Sequence, residues 1–284
     1  MTEAAEVNAD MLSFWNGTGG NIWVERQAHT DITLQPVTDA LLAFAAPQAG
    51  ERVLDVGCGC GAVTLDIARA VGESGSVVGV DISGPMLAEG QRRAEAAVIG
   101  NVSWHRADAA TADLGTFDLV VSAFGTMFFG DPVAAFAHIR SSVAPGGRLA
   151  MVCWAPLAEN QWMEVPMDAV RPHIPPRPAG APNSPGMFGF ANPDYTSEVL
   201  TAAGWAAPRF EKLSLDLDIA AGRGLDEAVA QSTLIGAVNS WLRPQPDEVK
   251  IAATASIREA FAAHTVGESV ALPGACWLIG SEAT

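Results

Sequence analysis

The stretch VLDVGCGCGAVTLDIARAV, residues 53–71, sets two chemistries side by side. Gly57, Gly59 and Gly61 alternate with Cys58 and Cys60, and Asp55 stands just before them. Alternate glycines between a strand and a helix let the backbone turn sharply and come close to a ligand that side chains would exclude. A helix beginning near Ala62 aims its first amides at that ligand and favours a carboxylate or a phosphate. The cysteines form a C-x-C pair with no histidine at ligand spacing, and Cys153 and Cys276 are distant in sequence. Zinc sites use C-x-x-C pairs or nearby histidines, so the expectation is four reduced, non-bonded thiols and no metal. The spacing G-x-G-x-G also differs from the G-x-G-x-x-G of dinucleotide binders, which disfavours a dehydrogenase.

A second chemical group follows at a fixed remove. SVVGVD ends in Asp81, in the place where α/β nucleotide sites hold ribose hydroxyls. An ionised carboxylate only accepts hydrogen bonds and so suits two hydroxyl donors. Among the five histidines, His29 after WVERQ and His173 in a proline-rich segment are the candidate general bases. His105, His138 and His264 have ordinary places in a strand, on a helix and at a helix end. Trp15, Met127, Phe128, Phe129, Trp162, Met187 and Phe188 are the aromatic and soft apolar residues expected around an acceptor pocket, with buried core as the alternative for each.

These groups need a scaffold. Strand patterns occur at 51–56, 76–81, 102–106, 116–124 and 148–154. Helical patterns lie between them: 62–71, stopped by Gly72; one capped by Ser83; and one opened by Asp131-Pro132 and running to about Val143. Such alternation specifies a parallel sheet with helices on both faces. Residues 1–46 carry two aromatic-rich helical pieces. RPHIPPRPAGAPNSPGMFGFANP, 171–193, reads as a long irregular connection of the kind that covers functional sites. A short helix then runs to Gly204. A half-buried strand at 209–219, helical stretches at about 225–243 and 247–264, and a last strand at 275–280 complete the chain.

The ordered motifs resemble those of class I S-adenosylmethionine (SAM)-dependent methyltransferases. DVGCGCG resembles the first motif, VVGVDIS the ribose-binding second, RADA the adenine-side segment, FDLVVSAFGTMFF the fourth-strand motif and APGGRLAMVCW the fifth. The resemblance spans roughly 50–155, and the flanks WNGTGGNIWVERQ and DPVAAFAHIRSSV are similar to the UbiE-like, or methyltransferase type 11, group. It implies a Rossmann-like seven-stranded, mostly parallel sheet of order 3-2-1-4-5-7-6 with strand 7 antiparallel. A helical cover at 1–46 would precede a SAM-binding domain at 47–284, with lid insertions at about 156–192 and 220–270. By the same resemblance Asp55 organises the turn, and Gly57, Cys58, Gly59 and Gly61 lie against the methionine part. Asp81 holds the ribose, and Ile82 and Met86 pack on adenine. Asp108 accepts from the adenine amino group with Ala109 beside it, and Ser122 and Phe124 lie near the amino-acid end. Trp23 and Arg26, with Gln27, belong to a segment that folds over the cofactor.

Composition narrows the partner. A chain of 284 residues, 49% hydrophobic and 17% charged, buries a sizeable core. Its formal net charge of −16 repels nucleic-acid backbones. No run of 18 apolar residues suggests a membrane span. The acidic MTEAAEVNAD lacks the features of a secretory signal, which points to the cytoplasm. The motifs of amino-methylating nucleic-acid enzymes, a Pro-Cys nucleophile and a catechol-type magnesium cluster are all missing from the sequence. The expected function is methyl transfer from SAM, leaving S-adenosylhomocysteine, to a small apolar or planar molecule. A SAM-binding sensor or partner subunit without transfer activity is the alternative.

Overall fold

The computed structural model describes residues 3–177 and 180–283; Pro178 and Ala179 of the proline-rich segment lie outside the described residues. Three helices open the chain: α1 (Glu3–Asn16), α2 (Thr18–Glu25) and α3 (Gln27–Ala45). Then β1 (Arg52–Val56), α4 (Ala62–Val71), β2 (Ser76–Asp81), α5 (Gly84–Ala96), β3 (Val102–Arg106), β4 (Phe117–Ala123), α6 (Pro132–Ser141) and β5 (Val143–Trp154) alternate. Next come α7 (Gln161–Val170), α8 (Pro193–Ala202), β6 (Arg209–Asp218), α9 (Leu225–Leu234) and α10 (Gly236–Leu242). The chain closes with α11 (Asp247–Ala262), β7 (Thr265–Val266) and β8 (Ser269–Glu282).

The main sheet runs β3-β2-β1-β4-β5-β8-β6, with β7 paired to β8. β1 to β5 pair in parallel, and β8 is antiparallel to both β5 and β6. β8 therefore takes the place of the antiparallel seventh strand. The central strands carry near-continuous apolar runs because helices cover both faces. Val53, Leu54, Leu119, Val120, Val121, Met151 and Val152 are all buried. Ser83, Asp131 and Asn192 accept from the amides of Met86, Ala134 and Asp194 and so cap α5, α6 and α8, each with a proline or glycine start that fits the first turn.

Three regions differ most from the sequence expectation. β5 begins at Val143 rather than 148 and takes in the APGG that precedes Arg148. The last strand is 14 residues long rather than the six of 275–280, and Pro273 and Gly274 pair in register with Asp216 and Leu215. The N-terminal region forms three helices, and α3 is part of the core: Val37, Leu41 and Ala45 are buried against the sheet and α4. Arg148 of β5 fixes its end by donating to the Ala45 and Ala46 carbonyls while pairing with Glu51.

Candidate active site

Strand order reverses between β1 and β4, and ligands of open α/β sheets bind at such a switch point, outside the carboxyl ends of the strands. The glycine turn follows β1 there. Gly57, Gly59 and Gly61 have φ of +70°, +54° and +79°, a region L side chains rarely enter. Gly57 is the tightest point: a Cβ added to it would stand 2.6 Å from the Cα of Gly125, which follows β4. The two glycines thus let the β1 and β4 turns touch. Gly57 and Cys58 donate their amides to the Val80 carbonyl at 2.8 and 3.2 Å, which ties the turn to β2. On its outer side the Trp104 indole fills a slot that a Cβ at Gly61 would enter, at 2.5 Å from the ring.

Asp81 ends β2 beside this turn. One carboxylate oxygen accepts from the Gly59 amide at 2.9 Å and the other from the Ser83 amide at 2.8 Å. Each oxygen keeps a further lone pair, so the group is oriented by the backbone and still able to accept two hydroxyls. Burial raises its pKa from the usual aspartate value, opposed by the amides of Ser83, Gly59 and Ile82. Asp55 lies beneath the turn, 1% exposed, and accepts from the Thr64 hydroxyl at 2.6 Å. Burial pushes its pKa up to about 7, with the Thr64 hydrogen bond lowering it and the charge of Asp81 adding to the rise.

The raised Asp55 value has a measurable sign. The folded state holds the proton more tightly than the unfolded chain, so stability drawn from this group is full at low pH and is lost as pH rises from about 4 to about 7. Asp55→Asn removes the titration. Chemical unfolding of this variant should show a flatter stability profile across that window than the parent; identical slopes would contradict the assignment.

All four cysteines are free and buried. Burial pushes Cys60 and Cys153 to about 12 and raises Cys58 and Cys276 too, so none is a ready nucleophile or ligand. Among the described residues no group of three His, Cys, Asp or Glu side chains is arranged to hold a metal ion. The native protein should resist a thiol-titrating reagent and release all four thiols only on unfolding; rapid stoichiometric labelling of Cys58 or Cys60 in the folded protein would contradict this.

Over the turn sits the cover. Asn16 of α1 donates to the Ile82 carbonyl at 2.9 Å and accepts from the Gly84 amide at 3.0 Å, and Ser83 donates to the Trp15 carbonyl at 2.6 Å. Trp15 meets Trp23 and Phe128 edge-on at 5.9 and 6.0 Å, so one aromatic cluster bridges from the β2 end to the β4 end. Met86 is buried with its methyl facing Gly59, and Ala109 is buried at the end of β3. Asp108 accepts from the Ala110 amide at 2.9 Å, forming the turn after β3. Phe124, at the end of β4, has φ of +61° and stacks on Trp154 at 4.5 Å; Trp154 in turn packs on Trp162 at 4.7 Å. Asn160 anchors this row, accepting from the Trp162 indole and the Ala275 amide and donating to the Ala155 carbonyl.

Several candidate residues have other work. His29 is 2% exposed, with Nε2 at 3.0 Å from the Ile219 carbonyl and Nδ1 at 3.2 Å from Glu227. Burial and the Arg26 guanidinium hold it below the ordinary histidine value, against the pull of Ile219 and Glu227. It is a buried tie between α3 and α9, not a base open to an acceptor. Arg26, expected at the cofactor, is instead bound to Glu227 and Gln231 of α9. His173 meets the Ser256 hydroxyl of α11 at 2.8 Å and ties the start of the proline-rich segment to that helix. Ser122 donates to the Val56 carbonyl at 2.8 Å, locking β4 to β1 rather than presenting its hydroxyl. Phe129 packs edge-on against core Phe136 at 5.9 Å, beside a cavity of about 70 Å³ that Met127 also lines. Met187 and Phe188 lie in the proline-rich segment, partly buried against the core, and the Met187 methyl faces Gly236 of α10.

Some contributors were not singled out from sequence. Gly125, Trp104, Asn16 and Thr64 all shape the turn or its cover. The signal for Gly125 was present in SAFG, a glycine directly after a strand-end aromatic; Asn16 and Trp104 meet partners too distant in sequence to be read, whereas Thr64 lies only nine residues from its partner Asp55.

A glycine turn, a strand-end carboxylate and a site at the switch point of this sheet order define the class I SAM-dependent methyltransferase fold. Residues 53–147 match the family described as a methyltransferase domain. Nocamycin O-methyltransferase of Saccharothrix syringae is 30% identical over 243 residues, covering 82% of this chain and 85% of that protein. The ubiquinone/menaquinone biosynthesis C-methyltransferase UbiE of Teredinibacter turnerae is 38% identical over 114 residues, 39% of this chain and 46% of its own. In structure, the YcgJ protein of Bacillus subtilis superposes with a TM-score of 0.56 at 16% identity, covering 87% of this chain and 98% of that one. The chain belongs to the class I SAM-dependent methyltransferases and is an enzyme of that kind. Among the described residues no helix is long and apolar enough to cross a membrane.

Proposed function

We propose that this methyltransferase acts on a small, apolar and planar acceptor that lies against Phe124. The observation that carries the reading is an aromatic row at the carboxyl ends of β4 and β5: Phe124 stacks on Trp154 at 4.5 Å, and Trp162 of α7 packs on Trp154 at 4.7 Å, tilted by 45°. A bulky residue held at positive φ costs about 1–3 kcal/mol and persists only where its surroundings fix it. In this reading the partly exposed Phe124 ring, backed by Trp154, is the face that meets the acceptor. Aromatic faces stack offset and favour planar partners.

When bound, SAM supplies an electrophilic methyl on a sulfonium whose departing thioether is neutral. The residues present fit the cofactor: the glycines of the Gly57–Gly61 turn, with the small Cys58 and Cys60 side chains buried, would receive the methionine part, and the two remaining lone pairs of Asp81 the ribose hydroxyls. Ile82, Met86, Asp108 and Ala109 border the adenine side. What remains for the protein is to align the acceptor with the methyl and to exclude water. The Trp15–Trp23–Phe128 cluster closes over the site for that purpose, together with Met187 and Phe188 of the proline-rich segment. The imidazoles of His29 and His173 are engaged in ties, which supports catalysis by alignment without either as base. The named relatives methylate at oxygen and at carbon, and both reactions suit such a site. The net charge of −16 supports a small molecule over a nucleic acid as acceptor.

The test is a panel of acceptors graded from aliphatic to fused aromatic rings. Turnover is expected with planar ring systems, and Phe124→Ala should raise their KM about tenfold, the equivalent of one lost aromatic stack, with SAM affinity retained. Equal turnover of aliphatic acceptors, or an unchanged KM in Phe124→Ala, would remove the planar-acceptor reading. SAM binding without turnover of any acceptor class would favour the sensor alternative.

A further inference from the structure

Gln27, the first residue of α3, is only 7% exposed. Its amide nitrogen donates to one oxygen of Asp31. The other Asp31 oxygen accepts from Arg93 at 2.6 Å, and Arg93 donates to the Cys60 carbonyl in the glycine turn at 2.8 Å. This chain fixes which way the Gln27 amide points, because reversing it would set its carbonyl against the Asp31 carboxylate. The carbonyl oxygen, Oε1, is left buried with no hydrogen-bond partner in the protein. A buried acceptor without a donor is costly, and native proteins rarely keep one without a use for it.

Its position suggests the donor. Trp23, four residues earlier, belongs to the aromatic cluster over the site, while the hydrogen-bond chain from Gln27 ends on Cys60. Gln27 is thus linked on one side to the cover helices and on the other to Cys60 of the glycine turn, the part that the SAM reading gives to the methionine end, while Asp81 is given to the ribose. An ammonium group carries three donors and no acceptor, and its charge strengthens a hydrogen bond to a carbonyl. We propose that Gln27 Oε1 accepts a hydrogen bond from the α-ammonium of the cofactor, and that the Asp31–Arg93–Cys60 chain aims it there. This rests on the SAM reading of the site. It gives the cover a direct grip on the cofactor's amino-acid end.

Calorimetric titration with three probes tests it: S-adenosylhomocysteine; its deamino analogue, which keeps the carboxylate and lacks the ammonium; and methylthioadenosine, which lacks the whole amino-acid end. Gln27→Leu should bind S-adenosylhomocysteine about 10- to 100-fold more weakly, the range for a lost hydrogen bond to a charged group. It should bind the other two as the parent does. Gln27→Met, closer in shape, should repeat the pattern, with its melting temperature reporting that the fold is kept. Unchanged affinity for S-adenosylhomocysteine, or an equal loss for all three probes, would overturn the assignment. If the parent protein binds none of the three while Gln27 is intact, the SAM reading of the site itself fails.

Discussion

Asp81→Ala should weaken SAM and S-adenosylhomocysteine binding by about 1.5–3 kcal/mol, roughly 10- to 150-fold, the range for hydrogen bonds to a charged acceptor. The carboxylate has two tasks. It takes the Gly59 and Ser83 amides and so holds the glycine turn against the start of α5, and it offers its remaining lone pairs to the ribose. The alanine variant loses both, so affinity for methylthioadenosine, which keeps the ribose, should fall along with affinity for the full cofactor. That pattern separates Asp81 from Gln27, whose loss should spare methylthioadenosine. Titration of the folded variant checks it, and an affinity equal to the parent's would sink the ribose assignment.

Gly57→Ala is expected to be the most damaging single substitution in the turn. Its φ of +70° costs an L residue about 1–2 kcal/mol, and overpacking adds about 1–3 kcal/mol more. The clash cannot be relieved by a side-chain movement, because the atom met at 2.6 Å is the backbone of Gly125. The β1 and β4 turns must separate, which opens the switch point where the cofactor lies. A loss of about 2–5 kcal/mol in unfolding free energy, with cofactor affinity falling beyond detection, is the expected outcome. Denaturant unfolding with and without S-adenosylhomocysteine measures both, and a variant as stable as the parent that still binds would show that the turn is not tightly packed.

The parallel half of the fold was legible because the central strands are apolar runs, β1 followed by glycine and β2 ended by aspartate, and α5 and α6 open on side-chain caps. Ser83 and Asp131 cap the helices their positions suggested. β3 and α4 occupy the residues expected of them. β8 was less legible: proline and glycine ordinarily interrupt a strand, yet pairing with β6 carries it through Pro273 and Gly274. Local turn chemistry yields there to tertiary pairing. In the site, the turn and Asp81 were readable because their chemistry is local in sequence. The ties of His29 and Arg26 to Glu227 were not, since their partners lie 198 and 201 residues away. A histidine after an aromatic segment has the same appearance whether it faces a ligand or a buried carbonyl. The orphaned carbonyl of Gln27 depends on Asp31 and Arg93 together, an arrangement that only the folded chain displays.

A crystal structure with S-adenosylhomocysteine tests the central claim most directly. The account predicts both ribose hydroxyls on the Asp81 carboxylate, the amino-acid chain against Gly57–Gly61 and the thioether sulfur facing the Phe124 side of the switch point. A ligand seated elsewhere, or one in this cleft with its ribose turned away from Asp81, would contradict it.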